Sequence, residues 1–187
     1  MTKIIQFCNR ISQLDARASE DFLKIFRTKI FQKGDYILKA DEICKHLYFI
    51  DEGLTKLFFF KEDKEFIMTF FREDMMFTEL SGYLTQRHSK YMILALEATT
   101  VQFAHQEEIE KLCKRHHCIE TLFRRQFSMA SLNMMKRITE MLEENATTRY
   151  NNFLKENNSL LQRISLGDLA NYLGITQVSL SRIRASR

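Results

Sequence analysis

Residues 118–144 run without a single glycine or proline, so nothing in them interrupts a helix. Apolar residues recur along this stretch at helical spacing on two faces. One face carries Ile119, Phe123, Phe127, Ala130, Met134, Ile138 and Met141; the other carries Leu122, Met129, Leu132 and Met135. One stripe is enough to cover the body of a subunit, and a second stripe needs a second surface. Leu122, Met129, Leu132 and Met135 are therefore expected to pack helix against helix in a homodimer. The methionines read as packing residues rather than as a cofactor site.

The chain before this helix has a different texture. Residues 1–29 read as helical, with Phe22, Leu23, Ile25 and Phe26 as the apolar side. From residue 30 to about 104, short runs rich in Ile, Phe, Tyr, Leu and Thr alternate with turn signals, the pattern of strands. The turns are Lys33-Gly34-Asp35, Asp51-Glu52-Gly53 and Lys61-Glu62-Asp63-Lys64. Residues 47–50 and 54–60 flank the second turn and are expected to form a hairpin, with Gly53 at a positive φ. Residues 66–71 return across the third turn, and residues 91–96 and 100–103 supply two late strands. Seven or eight short strands at this spacing predict a compact antiparallel barrel or roll. Residues 105–115 read as a short helix leading into the long one.

Charge is unevenly placed. Residues 146–187 hold six basic groups (Arg149, Lys155, Arg163, Arg182, Arg184, Arg187) against two acids (Glu156, Asp168), and the preceding 145 residues hold 22 of each sign. The whole net charge of +4 thus lies at one end, the electrostatic footprint of a nucleic-acid arm on a neutral body. No apolar run approaches the ~20 residues of a membrane helix, and the N-terminus lacks a secretory cleavage pattern, so a cytoplasmic protein without a membrane partner is expected. The four cysteines are scattered. Only residues 113–118 look like a metal cluster, and in a helix Cys113 and His117 share a face while Cys118 points elsewhere; no metal site is expected. No glycine-flanked nucleophile or phosphate loop is present, so the chain is not read as an enzyme and no catalytic residue is assigned.

The C-terminal segment carries the sharpest pattern. Ser165 is placed to cap a helix, with Asp168 three residues on at its positive end. Leu169, Ala170 and Leu173 form that helix's buried side, and Ala170 lets a second helix cross closely. Gly174 ends the helix where a left-handed residue is needed. Ile175 fills the corner, Thr176 caps a second helix, and Leu180 and Ile183 return to the core. This is a helix-turn-helix. The outward face of its second helix is Gln177, Val178, Ser181 and Arg182, flanked by Thr176, Ser179 and Arg184. Gln can bond an adenine edge bidentately, Arg a guanine edge, and Val can touch a thymine methyl. Thr176 and Ser179 suit phosphates at the helix N-terminus. Upstream, residues 145–148 form a polar hinge, with Thr147 the expected cap of a helix running to about residue 157.

With these motifs in place, the chain resembles the Crp/Fnr family of bacterial regulators. Phe31-Gln32-Lys33-Gly34-Asp35-Tyr36-Ile37-Leu38 and Tyr48-Phe49-Ile50-Asp51-Glu52-Gly53 are similar to the family's cyclic-nucleotide-binding β-roll. Phe77-Thr78-Glu79-Leu80 is similar to its phosphate-binding cassette. Tyr172-Leu173-Gly174-Ile175-Thr176 and Ser179-Leu180-Ser181-Arg182-Ile183-Arg184 resemble its DNA-binding end. The resemblance implies an effector pocket at Thr78, Glu79, Leu80, Ser89 and Lys90, and RNA polymerase as a further partner. Two departures stand out. Thr78 replaces the cassette glycine, and Ser89 falls where nucleotide-binding members place a phosphate-holding arginine, with Lys90 next to it. Arg87 and Lys90 are the candidate substitutes for that arginine, but Lys is a point charge without the bidentate fork of Arg, and cyclic AMP is not expected to bind; an unidentified small molecule remains the expected effector.

The expected fold class is α+β. A cyclic-nucleotide-binding-like antiparallel β-roll with flanking helices spans 1–117, a long dimerisation helix and hinge span 118–145, and a helical helix-turn-helix domain spans 146–187. The expected function is a homodimeric, sequence-specific regulator on near-palindromic double-stranded DNA. The alternative is a small-molecule sensor whose output is a protein contact.

Overall fold

Eight strands between residues 27 and 105 fold into two four-stranded antiparallel sheets that face each other as a roll. The computed structural model describes residues 2–186; Met1 and Arg187, the last of the basic groups counted above, lie outside the described residues. One sheet has the order β1 (Arg27–Phe31), β8 (Thr99–His105), β3 (His46–Glu52), β6 (Met76–Phe77). The other has the order β2 (Tyr36–Leu38), β7 (Met92–Ala95), β4 (Leu54–Lys61), β5 (Lys64–Arg72).

The expected hairpin at Gly53 does not form, because β3 pairs with β6 and β8 whereas β4 pairs with β5 and β7. Gly53 instead turns the chain from one sheet into the other. Its φ is +109°, and a Cβ there would sit 2.6 Å from Thr99 Cα and 2.8 Å from the Ala98 carbonyl, so only glycine fits this corner. The true hairpin is β4–β5. Its central residues Glu62 and Asp63 have φ of 50° and 59°, and Lys61 pairs with Lys64 across the turn, the geometry whose twist matches the strands.

Residues 1–29 divide into α1 (Lys3–Ile11) and α2 (Ala16–Lys24), and β1 already starts at Arg27. Asp15 makes the division by capping α2, accepting from Ala18 N at 2.7 Å. Phe7 of α1 packs edge-on against Phe49 of β3, with ring centres 5.8 Å apart. Within the roll α3 (Leu80–Thr85) joins β6 to β7, and after it come α4 (Gln106–Arg115) and α5 (His117–Glu143).

α5 covers the roll only with its first turns. Ile119, Leu122 and Phe123 are buried there, and Arg125 Nη1 donates to the Ile11 carbonyl at 2.8 Å. Leu122 was expected on the partner-facing stripe. It is 0% exposed and has no surface to give a partner, because at this level the helix is surrounded on two sides by the roll and α1. Beyond residue 128 the helix leaves the roll. Met129, Leu132 and Met135 are 54%, 57% and 64% exposed, and Met134, Ile138 and Leu142 join them.

The remaining helices are α6 (Ala146–Asn157), a 3-10 turn (Asn158–Leu160), α7 (Leu166–Leu173) and α8 (Gln177–Ala185). Asn145, not Thr147, caps α6; its Oδ1 accepts from Thr148 N at 2.9 Å. These helices lie on the outer face of the β2-β7-β4-β5 sheet. Alternation along β4 sends Leu54, Lys56 and Phe58 outward to them, and Leu54 and Phe58 share a buried cluster with Phe153, Leu169 and Leu173.

Candidate nucleic-acid interface

The turn between α7 and α8 is built from short-range contacts. Ser165 Oγ accepts from Asp168 N at 2.9 Å while the Asp168 carboxylate accepts from Ser165 N, a complete capping box. Gly174 ends α7 at φ +69°, and Ile175 N donates back to the Ala170 carbonyl at 3.0 Å. Thr176 caps α8, accepting from Ser179 N at 3.1 Å. Leu180 is fully buried and Ile183 half-buried beneath α8. Gln177 Nε2 lies beside Gly167, 2.9 Å from where a Cβ would stand, so the first residue of α8 rests its side chain on the first turn of α7.

This packing leaves the opposite face of α8 in solvent. Thr176, Gln177, Val178, Ser181, Arg182 and Arg184 are exposed and Ser179 is half-buried. The Thr176 and Ser179 hydroxyls are hydrogen-bonded to each other at 2.9 Å. Arg182 and Arg184 enter no salt bridge among the described residues, so their charge is available to a ligand. All seven expected contact residues thus fall on one short helix and its cap.

The C-terminal charge is used in two ways. Arg149 donates to the backbone carbonyls of Leu173 and Glu144. Arg163 grips Glu73 at 2.6 and 3.0 Å and also bonds Glu97. Both guanidiniums are therefore internal, and Lys155, Arg182 and Arg184 are the described cations left on the outside. In return Lys56 of β4 pairs with Asp168 at 2.7 Å and Glu65 at 2.9 Å. Burial disfavours the charges, but Asp168 and Glu65 outweigh it and raise the Lys56 pKa, while Lys56 and Ser165 hold Asp168 below the usual carboxylate range. The sequence reading passed over Lys56, although a lone lysine on the face of Leu54 and Phe58 was a visible signal.

The polar atoms of the expected effector residues are engaged locally, Thr78 and Glu79 with His46 and α3, and Ser89 and Lys90 with Tyr91 and Phe59. The Glu79 carboxylate caps α3, accepting from Ser81 N at 3.0 Å and Gly82 N at 2.6 Å. Thr78 Oγ1 donates to the His46 carbonyl at 2.9 Å. Ser89 Oγ accepts from Tyr91 N at 3.0 Å. Leu80 is half-buried. Lys90 Nζ lies over the Phe59 and Tyr91 rings, 4.9 and 5.3 Å from their centres. Stacked aromatics fill the neighbourhood, Phe71 on Phe77 at 4.4 Å and Phe77 on Tyr48 at 5.3 Å. Among the described residues no group of three or more His, Cys, Asp or Glu is placed to hold a metal. His116 beside Cys118 is instead paired with Asp21 at 3.0 Å. No helix among the described residues is long and apolar enough to cross a membrane.

Residues 28–116 match the family model of the cyclic nucleotide-binding domain. No curated protein matches the chain. Several solved structures share the fold through the roll, the long helix and the C-terminal helices. The c-di-GMP-responsive global regulator CLP of Xanthomonas campestris is 15% identical, with a TM-score of 0.74 over 92% of this chain and 91% of that one. FixK2 of Bradyrhizobium japonicum is 19% identical, with a TM-score of 0.75 over 87% and 84%. A protein of Eubacterium rectale described as a crp/fnr-family transcriptional regulator is 16% identical, with a TM-score of 0.72 over 91% and 82%. The proteins of Xanthomonas campestris and Eubacterium rectale are both described as regulators.

Proposed function

We propose that this protein is a sequence-specific transcription regulator of the Crp/Fnr type, a homodimer that reads near-palindromic double-stranded DNA and does not respond to cyclic AMP. The observation that carries this reading is the exposed polar and basic face of α8, presented by a capped and buried α7. Gln177, Val178, Ser181 and Arg182 are the base-reading set; Thr176, Ser179 and Arg184 hold phosphates. Residues 146–187 act as the reader, residues 118–145 as the dimer helix and hinge, and residues 1–117 as the body that receives a signal. The exposed apolar half of α5 supports the dimer. Two copies related by a two-fold axis would pair Met129, Leu132 and Met135 and set two α8 helices about 34 Å apart, one turn of DNA.

Two observations support the absence of a cyclic AMP response. Glu79 and Ser89 already satisfy backbone donors, and the cation nearest in sequence, Lys90, rests on aromatic rings. Burying a cyclic phosphate without a fitted cation is unfavourable. The effector, if it is a small molecule, is therefore of another class. RNA polymerase is the expected further partner, and the cytoplasm the expected location. A sensor with a protein output would share the roll but leaves the free charge of Arg182 and Arg184 without a role.

Selection of bound sequences from a random DNA pool tests the reading. A palindromic consensus bound in a salt-sensitive way supports it. Failure of the purified dimer to retain any DNA at low salt would overturn it. Calorimetry with cyclic AMP tests the second part, and tight binding would reverse it.

A further inference from the structure

The C-terminal helices do not close a core of their own. Residues 146–187 are close to the length below which a chain rarely buries enough surface to stand alone. Their core is completed by the roll: Leu54, Phe58, Ile67, Phe70 and Met92 of β4, β5 and β7 are buried with Phe153, Leu169, Leu173 and Leu180. Through this apolar seam pass two charge clusters. At one, Lys56 of the roll, 8% exposed, lies between Glu65 of β5 and Asp168 of α7, and Asn171 Nδ2 also donates to Glu65 at 3.1 Å. At the other, Arg163 holds Glu73 and Glu97 of the roll.

The two carboxylates around Lys56 sit on opposite sides of the seam. Without the ammonium they face each other as like charges across a poorly hydrated contact, which drives α7 away from the sheet. α7 is also held at its other end, where Arg137 of α5 and Arg149 of α6 donate to the Tyr172 and Leu173 carbonyls. α8 is fastened to α7 through Gly174 and Leu180. The direction of α7 between its two anchors is thus the direction of α8.

We propose that Lys56 is a positioning residue for DNA reading: by joining Glu65 of the roll to Asp168 of α7 it fixes the angle of α8 to α5, and so the separation of the two reading helices in a dimer. This rests on the DNA-binding reading above. Arg163 serves the same end from the other edge of the seam. Lys56 pairs with Glu65 and Asp168 and with none of the seven residues on the outward face of α8.

The experiment uses the full chain with Lys56→Met, Lys56→Arg and Arg163→Gln, the last at a less buried site in case Lys56→Met does not fold. Each is titrated with the palindrome selected by the unaltered protein, with its single half-site, and with palindromes whose spacing is changed by one base pair. Lys56→Met and Arg163→Gln should keep single-half-site affinity within about twofold, lose about tenfold on the palindrome, and show a flattened spacing preference. Lys56→Arg should restore both. Amide exchange in residues 166–185 should rise about tenfold in Lys56→Met with the strands unchanged. An unchanged spacing preference overturns the proposal, as does an equal loss on the single half-site. If the unaltered chain selects no DNA, the regulator reading fails by itself, and unchanged exchange in Lys56→Met then overturns the anchoring independently.

Discussion

The guanidinium of Arg137 on α5 lies 3.9 Å from the centre of the Tyr172 ring on α7 and donates to the Tyr172 carbonyl. The ring itself is wedged between Phe70 of the roll and Phe153 of α6, at 5.4 and 5.3 Å. One side chain thus ties the long helix to the carbonyl end of α7, where the helix dipole favours a cation. Arg137→Ala should lower stability by about 1–2 kcal/mol, read as a lower urea midpoint. Arg137→Lys should recover less than half of this, because an ammonium lacks the flat face that stacks on the ring. Equal midpoints for Arg137→Lys and the unaltered chain would show that stacking contributes nothing.

The two kinds of leucine on α5 should respond in opposite ways. Leu132→Glu combined with Met135→Glu places charge on the exposed half, and sedimentation should report monomers. Leu122→Ala empties a fully buried site in the roll and should cost about 2–5 kcal/mol while leaving the assembly intact. A dimer that survives the double glutamate variant would place the interface elsewhere.

Arg182→Ala should weaken binding to the selected palindrome by about 1–3 kcal/mol and relax preference at one base pair of each half-site. A uniform loss across all sequences, with a smaller salt dependence, would instead make Arg182 a phosphate contact.

Acid should loosen the seam before the roll. Arg163, hydrogen-bonded to Glu73, draws that carboxyl down from 4.5 to about 2 despite partial burial. A depressed carboxyl stabilises the fold fully above its unfolded value and loses that contribution as the pH falls toward the folded one. Protection of the amides in residues 160–185, referred to the intrinsic exchange rate at each pH, should therefore fall as the pH drops from about 4.5 toward about 2, ahead of the strands. Arg163→Gln should remove most of this dependence; an identical acid profile in the variant would assign it to other groups.

The helix-turn-helix was legible in the sequence because each of its signals acts over a few residues. The Ser165–Asp168 box, Gly174, the Thr176 cap and the spacing of Leu169, Leu173 and Leu180 need no distant partner to have their effect, and the exposed face of α8 follows from that spacing. The strand count and the unbroken long helix were legible for the same reason, since period and glycine placement are local. The tertiary structure decided everything that depends on which surfaces meet. Gly53 became a corner between sheets because Thr99, far along the chain, closes on it. Leu122 went to the core because the roll and α1 enclose the first turns of α5 and release the later ones. Arg149 and Arg163, counted with the nucleic-acid charge, were drawn inside by carbonyls and carboxylates that folding brought to them, and Lys56 acquired its place between Glu65 and Asp168 in the same way. Charge and apolar area can be counted from a sequence, but whether a given group faces a ligand or the rest of its own chain is settled by long-range packing.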